Sequence, residues 1–297
     1  MHMLVARRFR SERTGRASAW LMSLPAIVMH SAFAWLPIAL AFLVATQKYY
    51  PADPPESVGF QNFANVFNDP MTYTALKNTL IYAGLALLLT FLPPIIVSIM
   101  LMELSPRAIR ILMLLWFLPV ANTAGIVIWQ YFYNAELGLF NAIIEYVLGP
   151  EARLGWLNDR NLAMLCLVLP GFIMFGPSLI YISVLKSIPD DFYEAAELDG
   201  AGFWRKIWHI TLPRLRPVIA MMLIFSLIWS LQVFDQPFIM TGGGPGDVTR
   251  TVALYIYDIA FANLDFGKGT ALAVVFFFVI MVLVILQRTF FKEDIDT

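Results

Sequence analysis

Gly269-Thr-Ala-Leu-Ala-Val-Val-Phe-Phe-Phe-Val-Ile-Met-Val-Leu-Val-Ile-Leu-Gln287 contains no charged residue. Wound as a helix at about 1.5 Å per residue, it reaches across the roughly 30 Å of hydrocarbon in a bilayer. Five earlier runs are also long and mostly apolar, at approximately 20–46, 80–102, 109–133, 162–185 and 217–240, with Arg110 and Asp235 the only charged residues among them. The predicted fold is all-α and integral to the membrane, with six transmembrane helices. Composition agrees, because 59% of the 297 residues are hydrophobic and only 14% charged, against about 25% charged in soluble domains. The runs are too long for the strands of an outer-membrane barrel, which are about 10 residues.

Orientation follows from the basic residues near the helix ends. With the N-terminus inside, Arg7, Arg8, Arg10, Arg13, Arg16, Arg107, Arg110, Lys186, Arg205, Lys206, Arg214, Arg216, Arg288 and Lys292 share the cytoplasmic side. Only Lys48, Lys77, Arg153, Arg160, Arg250 and Lys268 fall outside. Both ends are therefore expected in the cytoplasm: a basic N-terminus at 1–19, the first helix at 20–46, an external loop at 47–79, a five-helix core at 80–290 and a tail at 291–297. The first apolar run exceeds a signal-peptide h-region of about 7 to 15 residues and is read as a retained helix.

The loops carry no domain. Pro51, Pro54, Pro55 and Pro70 make 47–79 a turn-rich connection, and 139–148 reads as a short helix on the membrane surface. Prolines recur in the spans, at Pro25, Pro37, Pro93, Pro94, Pro119, Pro170, Pro177 and Pro237. They imply kinks, which suit a cavity and equally suit plain packing. Cys166, the single cysteine, is expected to be a packing residue.

The most informative inner segment is Lys186-Ser-Ile-Pro-Asp-Asp-Phe-Tyr-Glu-Ala-Ala-Glu-Leu-Asp-Gly-Ala-Gly-Phe-Trp-Arg-Lys-Ile-Trp-His-Ile-Thr-Leu-Pro213. It reads as two short helices. Ser187 is expected to cap the first, with Pro189 and Asp190 in its opening turn, and Gly200 or Gly202 to end it. The second, 203–210, is expected to stop at Leu212-Pro213. Ala195 and Ala196 permit close approach of a partner, while Phe192, Leu198, Phe203 and Ile207 supply apolar anchors. An amphipathic loop on lipid headgroups is the alternative that these residues leave open.

Glu194-Ala195-Ala196, three residues, Gly200, nine residues, Ile210, one residue and Leu212-Pro213 resemble the coupling-loop motif of importer permeases in the ATP-binding-cassette class. Gly59-Phe-Gln-Asn-Phe, Asp69-Pro70, Asn78-Thr79, Gly243-Gly244-Pro245, Tyr255-Ile-Tyr257 and Ala260-Phe261 are similar to the carbohydrate-uptake branch. The resemblance implies the type I importer transmembrane-domain fold, in which 186–213, with Glu194 to Asp199 and Gly200 in contact, seats in a cleft on an ATPase subunit. It also implies a homologous second permease, two ATPase subunits that bind ATP and Mg, an extracytoplasmic solute-binding protein and a bacterial or archaeal cytoplasmic membrane. The Gly-Gly-Pro loop and the tail Lys292-Glu-Asp-Ile-Asp-Thr297 fit the first-type permease of such a pair.

No hydrolytic site is expected in this chain. Gly267-Lys268-Gly269-Thr270 lacks the Ser or Thr after lysine and the upstream glycine of a phosphate-binding loop, and reads as a turn leading into a helix. Neither a metal, with His2, His30 and His209 dispersed, nor nucleic acid is implied. The other class of function left open is an ion-coupled secondary transporter or channel.

For the substrate path, the fifth span offers Ser226, Trp229 and Ser230 at helical spacing, with Gln232, Asp235 and Gln236 nearby. Hydroxyl and amide groups with an aromatic face suit a sugar. Matching to the resembled family adds Phe172, Ile173 and Gly176 of the fourth span. Helix packing is an equally good account of these small and polar residues, as it is of Asn122 and Gln130. The sugar itself is not specified, and glycerol phosphate stays open.

Overall fold

The computed structural model describes residues 20–117, 122–173 and 178–290. Among these, structure is helical apart from one antiparallel pair of two-residue strands, β1 (Gln47–Lys48) and β2 (Glu56–Ser57). Four described helices are long and apolar enough to cross a membrane: α1 (Trp20–Val44), α3 (Pro70–Met102), α10 (Phe203–Leu231) and α12 (Phe266–Phe290), the last preceded by the short α11 (Val252–Tyr257). The expected third span is occupied by α4 (Pro106–Phe117) and α5 (Asn122–Phe132), and the fourth by α7 (Ala163–Ile173) and α8 (Ser178–Leu185). Residues 118–121 and 174–177 between them, including Pro119, Gly176 and Pro177, lie outside the described residues.

Two spans differ from their expected limits. The helix α3 starts at Pro70, ten residues before the apolar run, because Asp69 accepts the Met71 N–H at 2.9 Å and Pro70 suits the first turn. Thr72, Thr74, Lys77 and Asn78 make those turns too polar to register as a span. The loop 47–79 therefore holds β1, β2, α2 (Gln61–Phe67) and the start of α3.

The second difference is that no helix ends at Leu212-Pro213. A π-turn over Ile207–Thr211, in which the Leu212 N–H donates to the Ile207 carbonyl, widens the ladder ahead of Pro213. The missing proline donor is absorbed there and α10 runs on unbroken. It stops at Leu231, short of the expected limit, with Gln232 as its C-cap.

The described chain divides into two compact units, 20–66 with 259–274 and 67–258 with 275–290. In the first, α1 buries none of its residues, as suits a helix solvated by hydrocarbon. Asn62 Nδ2 donates to the carbonyls of Ala45 (3.0 Å) and Gln47 (2.8 Å). The motif residue Asn62 thus ties the end of α1 to α2. Gly267 is required by space, since a Cβ there would meet the Gln47 carbonyl at 2.1 Å. It lies in the first turn of α12, which Asp265 caps through the Lys268 N–H.

In the second unit α3 packs on α7, α8 and α10. One core gathers Tyr82, Tyr133, Cys166, Leu167 and Met240; another gathers Ile95, Tyr181, Leu185, Leu215 and Met222. Cys166 is buried, as a packing residue should be. The short helix expected at 139–148 is present as α6 (Leu139–Leu148), with Tyr146, Val147 and Leu148 exposed and Asn141 buried.

Candidate functional site

The segment 186–213 forms α9 (Asp191–Leu198) and the foot of α10. Ser187 does not cap α9. Its Oγ donates to the Val184 carbonyl at 2.7 Å and closes α8 instead. Asp190 occupies the cap position without a side-chain bond, and its carbonyl accepts from Tyr193 and Glu194.

Gly200 ends α9 as expected. Its φ is +73°, its N–H donates to Glu197 (3.0 Å), and the Ala201 N–H donates to Ala196 (2.8 Å). These two bonds form the Schellman closure. A Cβ at Gly200 would meet nothing within 4 Å, so conformation rather than space demands glycine.

One side of α9 is fastened to α10. Tyr193 OH lies 3.1 Å from Thr211 Oγ1, Lys206 Nζ lies 2.6 Å from Glu197 Oε1, and Arg214 Cζ sits 4.4 Å from the centre of the Phe192 ring. The other side is open, with Glu194, Ala195, Asp199 and Gly200 exposed, Ala196 half-buried and Leu198 90% exposed. Of the four expected anchors, Leu198 projects freely and Phe203 is partly exposed, but Ile207 is buried and Phe192 is engaged by Arg214. Ile210 and Leu212 are half-buried and Pro213 is exposed. The fastening residues Tyr193, Lys206, Thr211 and Arg214 escaped the sequence reading, as did exposed Trp204 and Trp208. Only a fold that brings residues 18 apart together discloses the Tyr193–Thr211 pair.

A second constellation surrounds the Gly-Gly-Pro loop. Gly242, Gly243 and Gly246 all have positive φ. Asn78 Nδ2 donates to the carbonyls of Asp247 (2.6 Å) and Arg250 (3.0 Å), and Thr79 Oγ1 accepts the Val252 N–H at 2.9 Å. Arg250 pairs with Asp247 at 2.7 Å and with Asp258, while Tyr255 OH donates to Asp69 at 2.5 Å. The motif residues Asp69, Asn78, Thr79 and Tyr255 are thus brought together as one polar knot holding the loop on α3.

The residues expected along a substrate path are distributed over α7, α10 and the segment that follows α10. Ser226 is half-buried, Trp229 is 78% exposed, and Ser230 is buried with its hydroxyl donating to the Leu227 carbonyl. Gln232, Asp235 and Gln236 lie beyond the end of the long apolar helix, the first two exposed. Phe172 is exposed on α7, Ile173 ends that helix, and Gly176 is outside the described residues. Gln130 donates to the Ile239 carbonyl at 2.8 Å, the interhelical role weighed for it.

Several long apolar helices, with a short amphipathic helix fastened to the foot of one, mark a multi-pass membrane protein. The family model described as binding-protein-dependent transport system inner membrane component matches residues 4–292, and the chain belongs to that family. It is 37% identical to the sulfoquinovosyl glycerol transport system permease protein SmoG of Agrobacterium fabrum, over 75% of this chain and 73% of that one. It is 29% identical to the probable ABC transporter permease protein YurN of Bacillus subtilis, over 92% and 95%. A crystal structure of a bacterial ABC transporter involved in alginate import matches with a TM-score of 0.83 at 23% identity, covering 96% of this chain and 99% of that one. The fold is therefore that of the type I ABC importer transmembrane domain, and the protein is an ABC importer permease.

Proposed function

We propose that this chain is the first-type permease of an importer for a sugar or oligosaccharide, crossing the cytoplasmic membrane six times with both ends inside. The observation that carries the coupling role is the two-sidedness of α9. Its open side offers Glu194, Ala195, Asp199, Gly200 and Leu198 to an ATPase subunit, and its other side is fastened to α10. Closure of an ATPase dimer on α9 would be delivered to α10, with Ala196, Ile210, Leu212 and Pro213 inside the lever.

ATP and Mg are bound and used by that separate subunit, present twice. A homologous permease completes the pathway, and an extracytoplasmic binding protein delivers the substrate. The sugar class is supported by the name of SmoG, whose system transports sulfoquinovosyl glycerol. Phe172, Ile173, Gly176, Ser226, Trp229, Ser230, Gln232, Asp235 and Gln236 are the candidate residues for the path.

Purification from native membranes in mild detergent tests this reading. The expected result is copurification of an ATPase and a second permease, with ATP-driven uptake in proteoliposomes that requires the binding protein. Uptake driven by an ion gradient without an ATPase would overturn it.

A further inference from the structure

The foot of α10 has two unlike sides. Ile207, Thr211 and Leu215, at helical spacing, are buried, whereas Trp204 and Trp208, one turn apart on the opposite side, are 71% and 66% exposed. Arg205 and Arg216 are exposed beside them. The helix holds four basic residues and no acidic one. Lys206 and Arg214 turn to Glu197 and Phe192 of α9, and Arg205 and Arg216 form no ion pair among the described residues. At 29 residues, α10 is about 43 Å long, against roughly 30 Å of hydrocarbon. The 20 residues Leu212–Leu231 fill that thickness, so 203–211 fall in the headgroup layer. Arg216, a turn further in, reaches back to it because helical side chains lean toward the N-terminus and arginine snorkels.

We propose that this face of α10 is a docking surface for anionic phospholipids of the cytoplasmic leaflet, with phosphates paired to Arg205 and Arg216 and the glycerol region packed on Trp204 and Trp208. Tryptophan gathers at membrane interfaces because its ring is apolar and its N–H polar, and arginine meets a phosphate with two N–H donors at once. Charge assigns the two partners of the segment to different faces. The open side of α9 carries exposed Asp191, Glu194 and Asp199, which an anionic leaflet repels and a protein cleft can take, while the aromatic and basic foot of α10 is attracted to that leaflet. The inference rests on the importer reading only for the orientation that places the foot inside, and goes beyond it in naming a lipid partner.

Tryptophan quenching in the intact complex provides the test, in nanodiscs of phosphatidylcholine and phosphatidylglycerol where bromine is carried near the headgroup by one lipid or the other. The difference between the natural chain and Trp204→Phe/Trp208→Phe isolates the pair from the other tryptophans. The brominated mole fraction giving half-maximal quenching of the pair should be roughly 5- to 25-fold lower for phosphatidylglycerol, about fivefold from each arginine. Arg205→Gln and Arg216→Gln should each reduce that preference about fivefold, as should high salt, while ATPase copurification and the thermal midpoint hold. Equal quenching by the two lipids, or a preference unchanged in both glutamine variants, would overturn the site. A pair quenched by neither lipid would show a protein subunit covering the foot and would overturn it too. Inorganic phosphate replacing chloride at equal ionic strength should leave the preference intact; its loss would mark a site for free anions and not for lipid. Absence of an ATPase from the preparation would overturn the importer reading, whereas equal quenching with the ATPase present removes the lipid site alone.

Discussion

The phenol of Tyr193 on α9 meets the buried hydroxyl of Thr211 inside the π-turn of α10, 3.1 Å away. The pair joins the candidate docking helix to the span at the point where the helical ladder is widest. Lys206 and Glu197 add an ion pair, but with side chains 21% and 62% exposed it is screened by water and salt. The neutral, half-buried hydrogen bond is therefore the stronger fastening.

Tyr193→Phe removes that bond and keeps the ring. A neutral hydrogen bond contributes about 1 kcal/mol, so uptake per ATP hydrolysed should fall roughly fivefold while the subunits still assemble. Lys206→Met should have a smaller effect that disappears in high salt. Proteoliposome uptake and phosphate release, measured together, check both; unchanged stoichiometry in Tyr193→Phe would contradict the lever.

Gly200 has open space around it and a left-handed backbone. An L-residue there costs about 1–2 kcal/mol, and a β-branched one is a stronger outlier. Gly200→Ala should couple weakly, and Gly200→Val should insert and assemble but hydrolyse ATP without uptake. Normal uptake by Gly200→Val would remove α9 from the coupling role.

Asn78 is buried and serves two carbonyls of the Gly-Gly-Pro loop. Asn78→Leu leaves both short of a donor, at about 1–3 kcal/mol each if they stay buried. At about 2–4 °C per kcal/mol for a chain of this size, the thermal midpoint in detergent should drop by several degrees. An unchanged midpoint would show that the loop is held without Asn78.

Trp229 is exposed, so its removal should not lower that midpoint. If its ring faces the sugar, Trp229→Ala should raise the apparent KM for uptake about two- to tenfold, the range of an aromatic contact. Unchanged KM and rate would take Trp229 off the path.

Much of the site was legible because its signals are local. The helix α9 is closed by the Gly200 N–H bonding three positions back and the Ala201 N–H five positions back, and the apolar runs at 20–46 and 269–287 carry their own reason for being helical in a bilayer. The start of α3 was hidden by polarity, although Asp69-Pro70 is itself a capping signal. Pro213 reads as a stop because proline lacks the N–H that a regular helix needs, and the π-turn over Ile207–Thr211 that accommodates it has no marker in the sequence.

By itself, then, the amino-acid order determined the membrane-spanning helical class, the short helix α9 and its glycine end, since hydrophobic length and capping act over a few residues. Tertiary structure alone decided which polar residues meet. Asn78 and Asp247 are 169 positions apart, and nothing in either neighbourhood signals the other. Buried polar groups in a low-dielectric interior require partners, and only the packing of α3 against α10 and the Gly-Gly-Pro loop supplies them.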